Sequence, residues 1–296
     1  MTDVAVLTPD PADATYSTLW PGVLDRLGEA LAMAGITARP TPWTDHVENA
    51  RALMDFPLVL PLLVWGYHQD HDRWVQACTT WAEAGAPLAN PAATLRWNAD
   101  KRYLARLAEK GVAVPETIFA DHVDAAVLEA AFAATGAETL IVKPTVSGGA
   151  WRTLRVAAGD LLDAALADAP VGGTMIQPYL KAIETEGETS LLYFGGELSH
   201  VVNKRPGAAG EFRIQTQYGG RYQALKAAPQ GALDLAERTL AAIDEDLLYA
   251  RIDMTKDEDG DWVLMEAELI EPDFYLAAAP EAGARFGQAV RARLER

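Results

Sequence analysis

The sequence predicts an α/β unit with a parallel sheet, followed by two α+β lobes. Three observations carry that prediction. Strand and helix signals alternate up to about residue 95, the pattern of a small parallel sheet. From residue 174 onward the signals are antiparallel hairpins, one turning at Gly195–Gly196 and one at "DEDG". Between them, at "PLANPAATLRWNADK", the texture of the chain changes. The expected division is therefore 1–95, 96–173 and 174–296.

Each element has its own warrant. "VAVLT" is an apolar strand, "TLWPGVLDRLGEALAMAG" is amphipathic at helical period and stops at Gly35, and "ITARPTPW" is extended. "LVLPLLVW" reads as a buried strand, and "DHDRWVQACTTWAEAG" as a second amphipathic helix ending at Gly85, with Asp70 as its cap. "ADKRYLARLAEKG" is a helix opened by Lys101, followed by "VAVPET", another helix and the strand "TLIVKP". "TMIQPYL" is a strand, and "TSLLYFGGELSHVVNK" is a hairpin. A loop rich in Gly, Arg and Tyr spans 206–222, a helix spans about 229–244, and a second hairpin runs 248–269.

Composition limits the function. The 296 residues are enough for one large or two to three small domains, and half are hydrophobic with 23% charged. A net charge of −17 argues against a nucleic-acid binder, which needs Lys/Arg stripes to neutralise phosphates. It leaves room for a small anion held by a few local cations. Cys78 is the one cysteine, so no internal disulfide forms, and on a helix it reads as a buried small hydrophobe. The most apolar run, "FPLVLPLLVWG", is too short to cross a bilayer and carries two prolines. With no basic signal segment at the start, the expectation is a cytoplasmic protein without a membrane partner; a homodimer stays open.

The chemistry concentrates in "VLMEAELIEP". Side chains two apart on a strand share a face, so Glu266 and Glu268 point the same way, and burying two like charges unpaired is costly. If the preceding turn centres on 257–260, Asp253 lies opposite Leu264 and Arg251 opposite Glu266. Asp253, Glu266, Glu268 and Arg251 then share one face, and a one-residue slip would move Asp253 to the other. Three carboxylates there suit a hard dication such as Mg2+; a solvated face paired with Arg251 and Lys256 is the plainer alternative. Cations lie elsewhere. Lys143 leads into "TVSGGAWRT", where small residues let backbone N–H groups approach anionic oxygens. Lys204 ends "VVNK" and Lys101 lies in "NADKRYL". The chain has no Walker loop and no dinucleotide fingerprint.

This arrangement resembles the ATP-grasp superfamily, the fold of D-alanine–D-alanine ligase, glutathione synthetase and the ribosomal-protein glutamate ligase. "ARIDMTKDEDGDWVLMEAEL" is similar to that family's metal-binding hairpin, and "LIVKPTVSGGA" to its lysine strand and glycine-rich loop. "TMIQPYL" matches its adenine hinge, "VVNKR" its later phosphate-contacting lysine and "NADKRYL" the early one. The resemblance spans roughly 90–275 and implies an ATP-grasp fold behind a small substrate domain. "EAELIEP" is further similar to a branch that includes the cycloserine-forming ligase, which closes O-ureidoserine into a ring. Glu268 departs from the wider family, which has Asn there.

The resemblance implies an ADP-forming carboxylate–amine ligase. A substrate carboxylate takes the γ-phosphate of ATP as an acyl phosphate, and an amine or other nucleophile then displaces phosphate. The substrate is an amino acid or small peptide, with intramolecular ring closure one outcome. It further implies that Lys101, Lys143 and Lys204 grip phosphates beside Ser147, Gly148 and Gly149, and that Gln177, Tyr179 and Leu180 line adenine. Glu184 meets the ribose, with Glu186 and Glu188 as competitors. Asp253, Glu266 and Glu268 hold one or two Mg2+, and Arg251, with Lys204, serves the reacting centre. The loop 206–222 is a lid whose Arg213 and Arg221 either hold a substrate carboxylate or are solvated charges. Glu271, with Asp273, Phe274 and Tyr275, either shapes the acceptor pocket or packs the next helix.

Two rivals stand beside this reading. One is a nucleotide-binding regulatory protein of the same fold without turnover. The other is a zinc site in "WGYHQDHD", built on His68 and His71 with Asp70 and Asp72. A substrate-facing loop at the carboxyl edge of the sheet is the preferred account of His68.

Overall fold

The computed structural model describes residues 1–208 and 210–296, with the side chains at 163 and 164 outside that description. The first unit contains β1 (Thr2–Thr8), α1 (Trp20–Ala32), β2 (Ile36–Pro42), β3 (Val59–Leu60) and α2 (His71–Ala84). Its sheet is parallel, in the order β2-β1-β3. The strand expected over 58–65 shrinks to two residues. Pro57 and Pro61 bracket it and have no N–H to give a ladder, so the chain leaves the sheet, although Leu62, Leu63 and Val64 stay buried. Asp70 caps α2 by accepting from the Arg73 N–H, and Trp74, Cys78 and Trp81 line its buried face.

The connecting stretch holds two helices, α3 (Ala92–Asn98) and α4 (Tyr103–Glu109), where the sequence suggested only the second. Lys101 sits in the turn between them, its N–H bonded to the Thr145 carbonyl. Next come β4 (Ile118–Ala120), α5 (Ala125–Thr135), β5 (Thr139–Pro144), β6 (Leu154–Ala157), α6 (Leu162–Ala165) and β7 (Thr174–Pro178). They form an antiparallel sheet, β4-β7-β5-β6, with α5 packed on one face. Along β5, Leu140 and Val142 are fully buried under α5, so Ile141 and Lys143 must point to the opposite face. Strand β7, with which the sequence reading opens the second lobe, pairs with β4 and β5 instead.

The remaining elements are α7 (Ala182–Thr185), β8 (Glu188–Phe194), β9 (Glu197–Arg205), β10 (Arg221–Leu225), α8 (Gln230–Ile243), β11 (Tyr249–Lys256), β12 (Trp262–Glu268) and α9 (Ala282–Leu294). Their strands make a five-stranded antiparallel sheet, β10-β9-β8-β11-β12. Gly195 and Gly196 turn its first hairpin with φ of 61° and 87°, the double left-handed geometry that two-residue hairpins need. Arg221 and Tyr222, expected in the loop, lie in β10. One core spans β1 and α1 of the first unit, β8 and β9 of the large sheet, and α9. A second packs α4 and α8 under β11 and β12. The far face of the large sheet, towards the small sheet and its glycine loop, carries the charges.

The β11–β12 hairpin departs from the expected register. Next to the turn Met254 faces Leu264, a one-residue offset that would have put Asp253 opposite Met265. A bulge between Asp253 and Met254 adds the missing residue, so Asp253 faces Glu266 and Arg251 faces Glu268. The expected shared face survives because two one-residue errors cancel.

Candidate active site

Four strands contribute one charged row. Lys204 of β9 faces Glu188 of β8, whose neighbour Ser190 faces Asp253 of β11, which faces Glu266 of β12. The Lys204 ammonium lies 2.5 Å from Glu188 and 3.2 Å from Asp253, with almost no solvent access. Arg251 donates to both Asp253 oxygens and to Glu268. Ser190 gives Asp253 a further hydrogen bond of 2.5 Å. Burial pushes Asp253 upward, but Arg251 and Lys204 overcome it and hold its pKa down at about 2. The same acids raise Lys204 and Arg251 well above their ordinary ranges against the effect of burial.

The edge strand β12 is held by side chains from the α3–α4 stretch. Asn98 donates to the Ala267 carbonyl and accepts from the Leu269 N–H, while the Ala267 N–H donates to the Tyr103 hydroxyl. Asn90, just ahead of α3, bonds the Leu248, Tyr249 and Leu269 backbone groups in the same way. An edge strand otherwise leaves a row of backbone groups unpaired.

Lys101 joins the two sheets. Its ammonium is 2.8 Å from Glu266 and 3.0 Å from the Ser147 carbonyl of the glycine loop. Glu266 is raised by burial, yet Lys101 and Lys143 pull it below the usual carboxylate range. Lys143 itself has no ion pair or hydrogen bond among the described residues, and burial, aided by Lys101, lowers its pKa. An ammonium left in that state is set to receive an anion. Gly148 lies against His68, whose ring nitrogen is 3.3 Å from where a Cβ would stand, and Gly149 accepts from Gln217 of the 206–222 loop. Burial and Lys101 lower His68 to about 4, so it is neutral near pH 7.

The other expected site residues fall into two groups. Gln177 is buried and donates to Thr117, while Tyr179 and Leu180 follow directly after β7. Leu180 packs with Ile183, Ile214, Val263 and Met265 in an apolar patch between the sheets. Glu184 is engaged by the Tyr179 hydroxyl and by Arg155, which stacks on the Tyr179 ring at 4.2 Å. Arg213 is bonded to Glu211 within its own loop and lies over Tyr218, and Arg221 donates to Gly207. Neither arginine bonds the charged row among the described residues. Position 209 of that loop lies outside the described residues.

The acids expected to hold a metal are paired with cations. Among the described residues no group of three or more His, Cys, Asp or Glu is placed to hold a metal, in "WGYHQDHD" or in the hairpin. Asp253, Glu266 and Glu268 share a face, but each is taken by its own cation, because the buried strands bring Lys101, Lys204 and Arg251 within ion-pair reach. The donor chemistry still fits a hard dication: Glu266 and Glu268 each spend one oxygen, Oε1, on those pairs. Burial pushes Glu268 up, Arg251 only partly opposes it, and Glu266 and Asp253 add to the rise. Such a carboxylate is short of positive charge.

Sequence reasoning gives too little weight to Glu188 and Tyr275. It offers Glu188 as one of three candidates for a ribose, whereas Glu188 faces Lys204 inside the row. Its partner across the hairpin was the available signal. Tyr275 has φ of 51°, a genuine outlier for an aromatic, and its ring lies over Arg251 at 5.0 Å and Lys204 at 5.6 Å.

A first unit with a parallel sheet, a small antiparallel sheet with a lysine and glycine loop, and a large sheet with an Arg-x-Asp and Glu-x-Glu hairpin together define a ligase of the ATP-grasp type. The comparisons agree. The chain is 30% identical over 289 residues to the cycloserine biosynthesis protein DcsG of Streptomyces lavendulae, spanning 90% of this chain and 92% of that one. It therefore belongs to the DcsG family. Residues 4–90 match the family described as D-cycloserine synthetase DcsG, N-terminal domain. The crystal structure of D-cycloserine synthetase DcsG superposes with a TM-score of 0.82 at 27% identity, covering 99% of each chain. A D-alanine–D-alanine ligase from Bacillus anthracis shares the fold, with a TM-score of 0.75 at 16% identity over 100% of this chain and 97% of that one.

Proposed function

We propose that the chain is an ADP-forming ligase that activates a substrate carboxylate with ATP and closes a C–N bond, or a related amide-type bond, on a small amino-acid derivative. The observation that carries this is Lys101, which ties the glycine loop at Ser147 to the hairpin acid Glu266 and so brings the two halves of a phosphate-transfer site together. Phosphoryl transfer is mostly positioning and charge neutralisation, which is what this arrangement supplies. Kinship with a D-cycloserine synthetase favours intramolecular ring closure of an amino-acid precursor over the joining of two molecules.

In this reading Lys143 receives a phosphate oxygen, because it is the cation of the group without an acid partner among the described residues. Lys101 and the backbone of Ser147, Gly148 and Gly149 hold the same phosphates against the large sheet. Gln177, Tyr179 and Leu180 take adenine at the end of β7, with Glu184 towards the ribose and Glu186 as its competitor. Asp253, Glu266 and Glu268 hold one or two Mg2+, which when bound offset charge on the phosphate oxygens. Arg251, fixed by Asp253 and by the Asp273 carbonyl, stabilises the oxyanion that forms when the amine attacks. The loop 206–220 shields the acyl phosphate from water, and His68, neutral and against Gly148, borders the same space. Residues 1–95 act as the substrate unit. The lobe boundary falls after β7, which pairs into the small sheet.

The deciding experiment is an ADP-release screen with Mg-ATP over amino acids and O-substituted serines. ADP release with one of them supports the ligase. Tight ATP binding with no release for any substrate returns the regulatory reading.

A further inference from the structure

We propose that His68 of the first unit is a positioning residue for the glycine loop, and that position 148 is glycine because the His68 ring sits against it. The phosphate that the loop receives rests on the ligase reading, whereas the packing of the loop does not.

The loop between β5 and β6 is fixed at its base by its immediate surroundings. The Thr145 N–H donates to the Gly173 carbonyl, and the Thr145 carbonyl accepts from the Lys101 N–H. The Lys101 ammonium holds the Ser147 carbonyl at 3.0 Å. Beyond Ser147 the grip passes to distant parts of the chain. Gln217 of the 206–220 loop donates to the Gly149 carbonyl at 3.2 Å. His68 meets Gly148, and its ring centre lies 6.0 Å from that of Trp151 at the loop tip. His68 is a firm wall, because it belongs to the single turn Tyr67–Gln69 ahead of α2. The Tyr67 ring meets it edge-on at 5.8 Å and packs on Trp74 of α2 at 5.0 Å, while Gln69 holds the Tyr16 hydroxyl at 3.0 Å.

The two glycines of the loop have different causes. Gly149 has φ of 60°, a conformation that strains any other residue. Gly148 lies outside that region, so its backbone would accept a side chain. The obstacle is the ring. A Cβ at Gly148 would stand 3.3 Å from Nδ1 and 3.4 Å from Cε1 of His68, and apart from its chain neighbours no other described atom lies within 4 Å. Glycine at 148 therefore supplies close approach to the first unit. Backbone N–H groups hold a phosphate well only when the loop stands within about 0.5 Å of its productive place. His68 sets that place from the first unit and Gln217 from the 206–220 loop, so the phosphate grip depends on a residue of the first unit.

The test is a double-mutant cycle on the full chain, titrating the Mg2+ complex of a non-hydrolysable ATP analogue by calorimetry. Gly148→Ala in wild type should weaken binding roughly tenfold, and on a His68→Ala background about twofold or less, because the ring that the new methyl strikes is gone. His68→Ala alone should lose roughly fivefold, and His68→Phe, which keeps a ring, should recover most of that loss. With 5-fluorotryptophan in the chain, the Trp151 resonance is assigned by its loss in Trp151→Phe. It should move in His68→Ala and return towards wild type in His68→Phe. An equal loss from Gly148→Ala with and without His68 means that the methyl only obstructs the phosphate; it overturns the proposal and leaves the ligase reading in place. So does His68→Phe that binds no better than His68→Ala, or a Trp151 resonance indifferent to His68. A lower melting temperature with unchanged affinity in His68→Ala makes the contact merely structural and also overturns it. Analogue binding by none of the proteins, wild type included, fails the ligase reading and takes the proposal with it.

Discussion

At the scale of single residues, the site is a set of titrations and pairings whose signs can be checked. Lys143 has no acid partner among the described residues, so its removal should cost ligand and not fold. Lys143→Ala is expected to weaken ATP binding roughly tenfold or more, the worth of a charge-assisted phosphate contact, with an unchanged melting curve. Unaltered nucleotide affinity in the folded variant would remove it from the phosphate site. Glu271 makes a pH prediction. Its folded pKa, about 7, lies above the ordinary 4.5, so between those values the folded chain holds a proton that the unfolded chain has released. Its contribution is complete below the unfolded value and is lost as pH rises through about 7. Thermal melts should therefore fall in Tm from about pH 5 to about pH 8, and Glu271→Gln should flatten that slope. Equal slopes in both proteins would mean that Glu271 ionises as freely in the fold as outside it.

At the scale of elements, the hairpin of β11 and β12 depends on a neighbour far away in sequence. Asn98 supplies both a donor and an acceptor to the β12 edge, where no strand is available. Asn98→Ala would leave the buried Ala267 carbonyl and Leu269 N–H unpaired, at about 1–3 kcal/mol for each group. The expected result is a clear loss in denaturant midpoint, together with a raised Mg2+ requirement because Glu266 and Glu268 flank Ala267. A variant that melts like wild type would show that water satisfies the edge. The hairpin also shows how far periodicity reaches. Alternation placed Asp253, Glu266 and Glu268 on one face, but the turn length misjudged the pairing, and a bulge restored it. A bulge is chosen by what lies on both sides of the strand, so local sequence carries no sign of it.

At the scale of the whole molecule, the C-terminal helix returns to the first unit. α9 packs on α1 through small residues, and a Cβ at Gly287 would collide with the Ala30 carbonyl while one at Gly283 would press on the Ala30 side chain. Gly287→Ala should overpack this contact and cost about 1–3 kcal/mol, read as a lower denaturant midpoint. Because Leu192, Phe194 and Phe286 share a core with Val4, Val6 and Leu31, the strain should also reach the large sheet that carries the charged row. The expected sign is a higher KM for the amino-acid substrate with ATP affinity held. A normal melting curve would mean that the helices separate without cost. Among the described residues no helix is long and apolar enough to cross a membrane.

The alternation of the first unit, its parallel sheet, the two hairpins and the shared face of the acids were legible in the sequence, because they rest on periodicity and turn chemistry acting over neighbouring residues, whereas α3 and β10 were not. So was the set of lysines, since each stands at the end of a recognisable element. "TMIQPYL" and the glycine loop after Lys143 stand out in the sequence only through resemblance to known motifs. Which cation pairs with which acid was not, because Lys101 meets Glu266 across 165 positions of chain and Lys204 meets Asp253 across 49. The placement of β7 in the small sheet, the support of β12 by Asn98 and the pairing of Glu188 with Lys204 belong to the same class. Each is decided by the free energy of burying polar groups with partners, and the partners become neighbours only once the separate units have packed together.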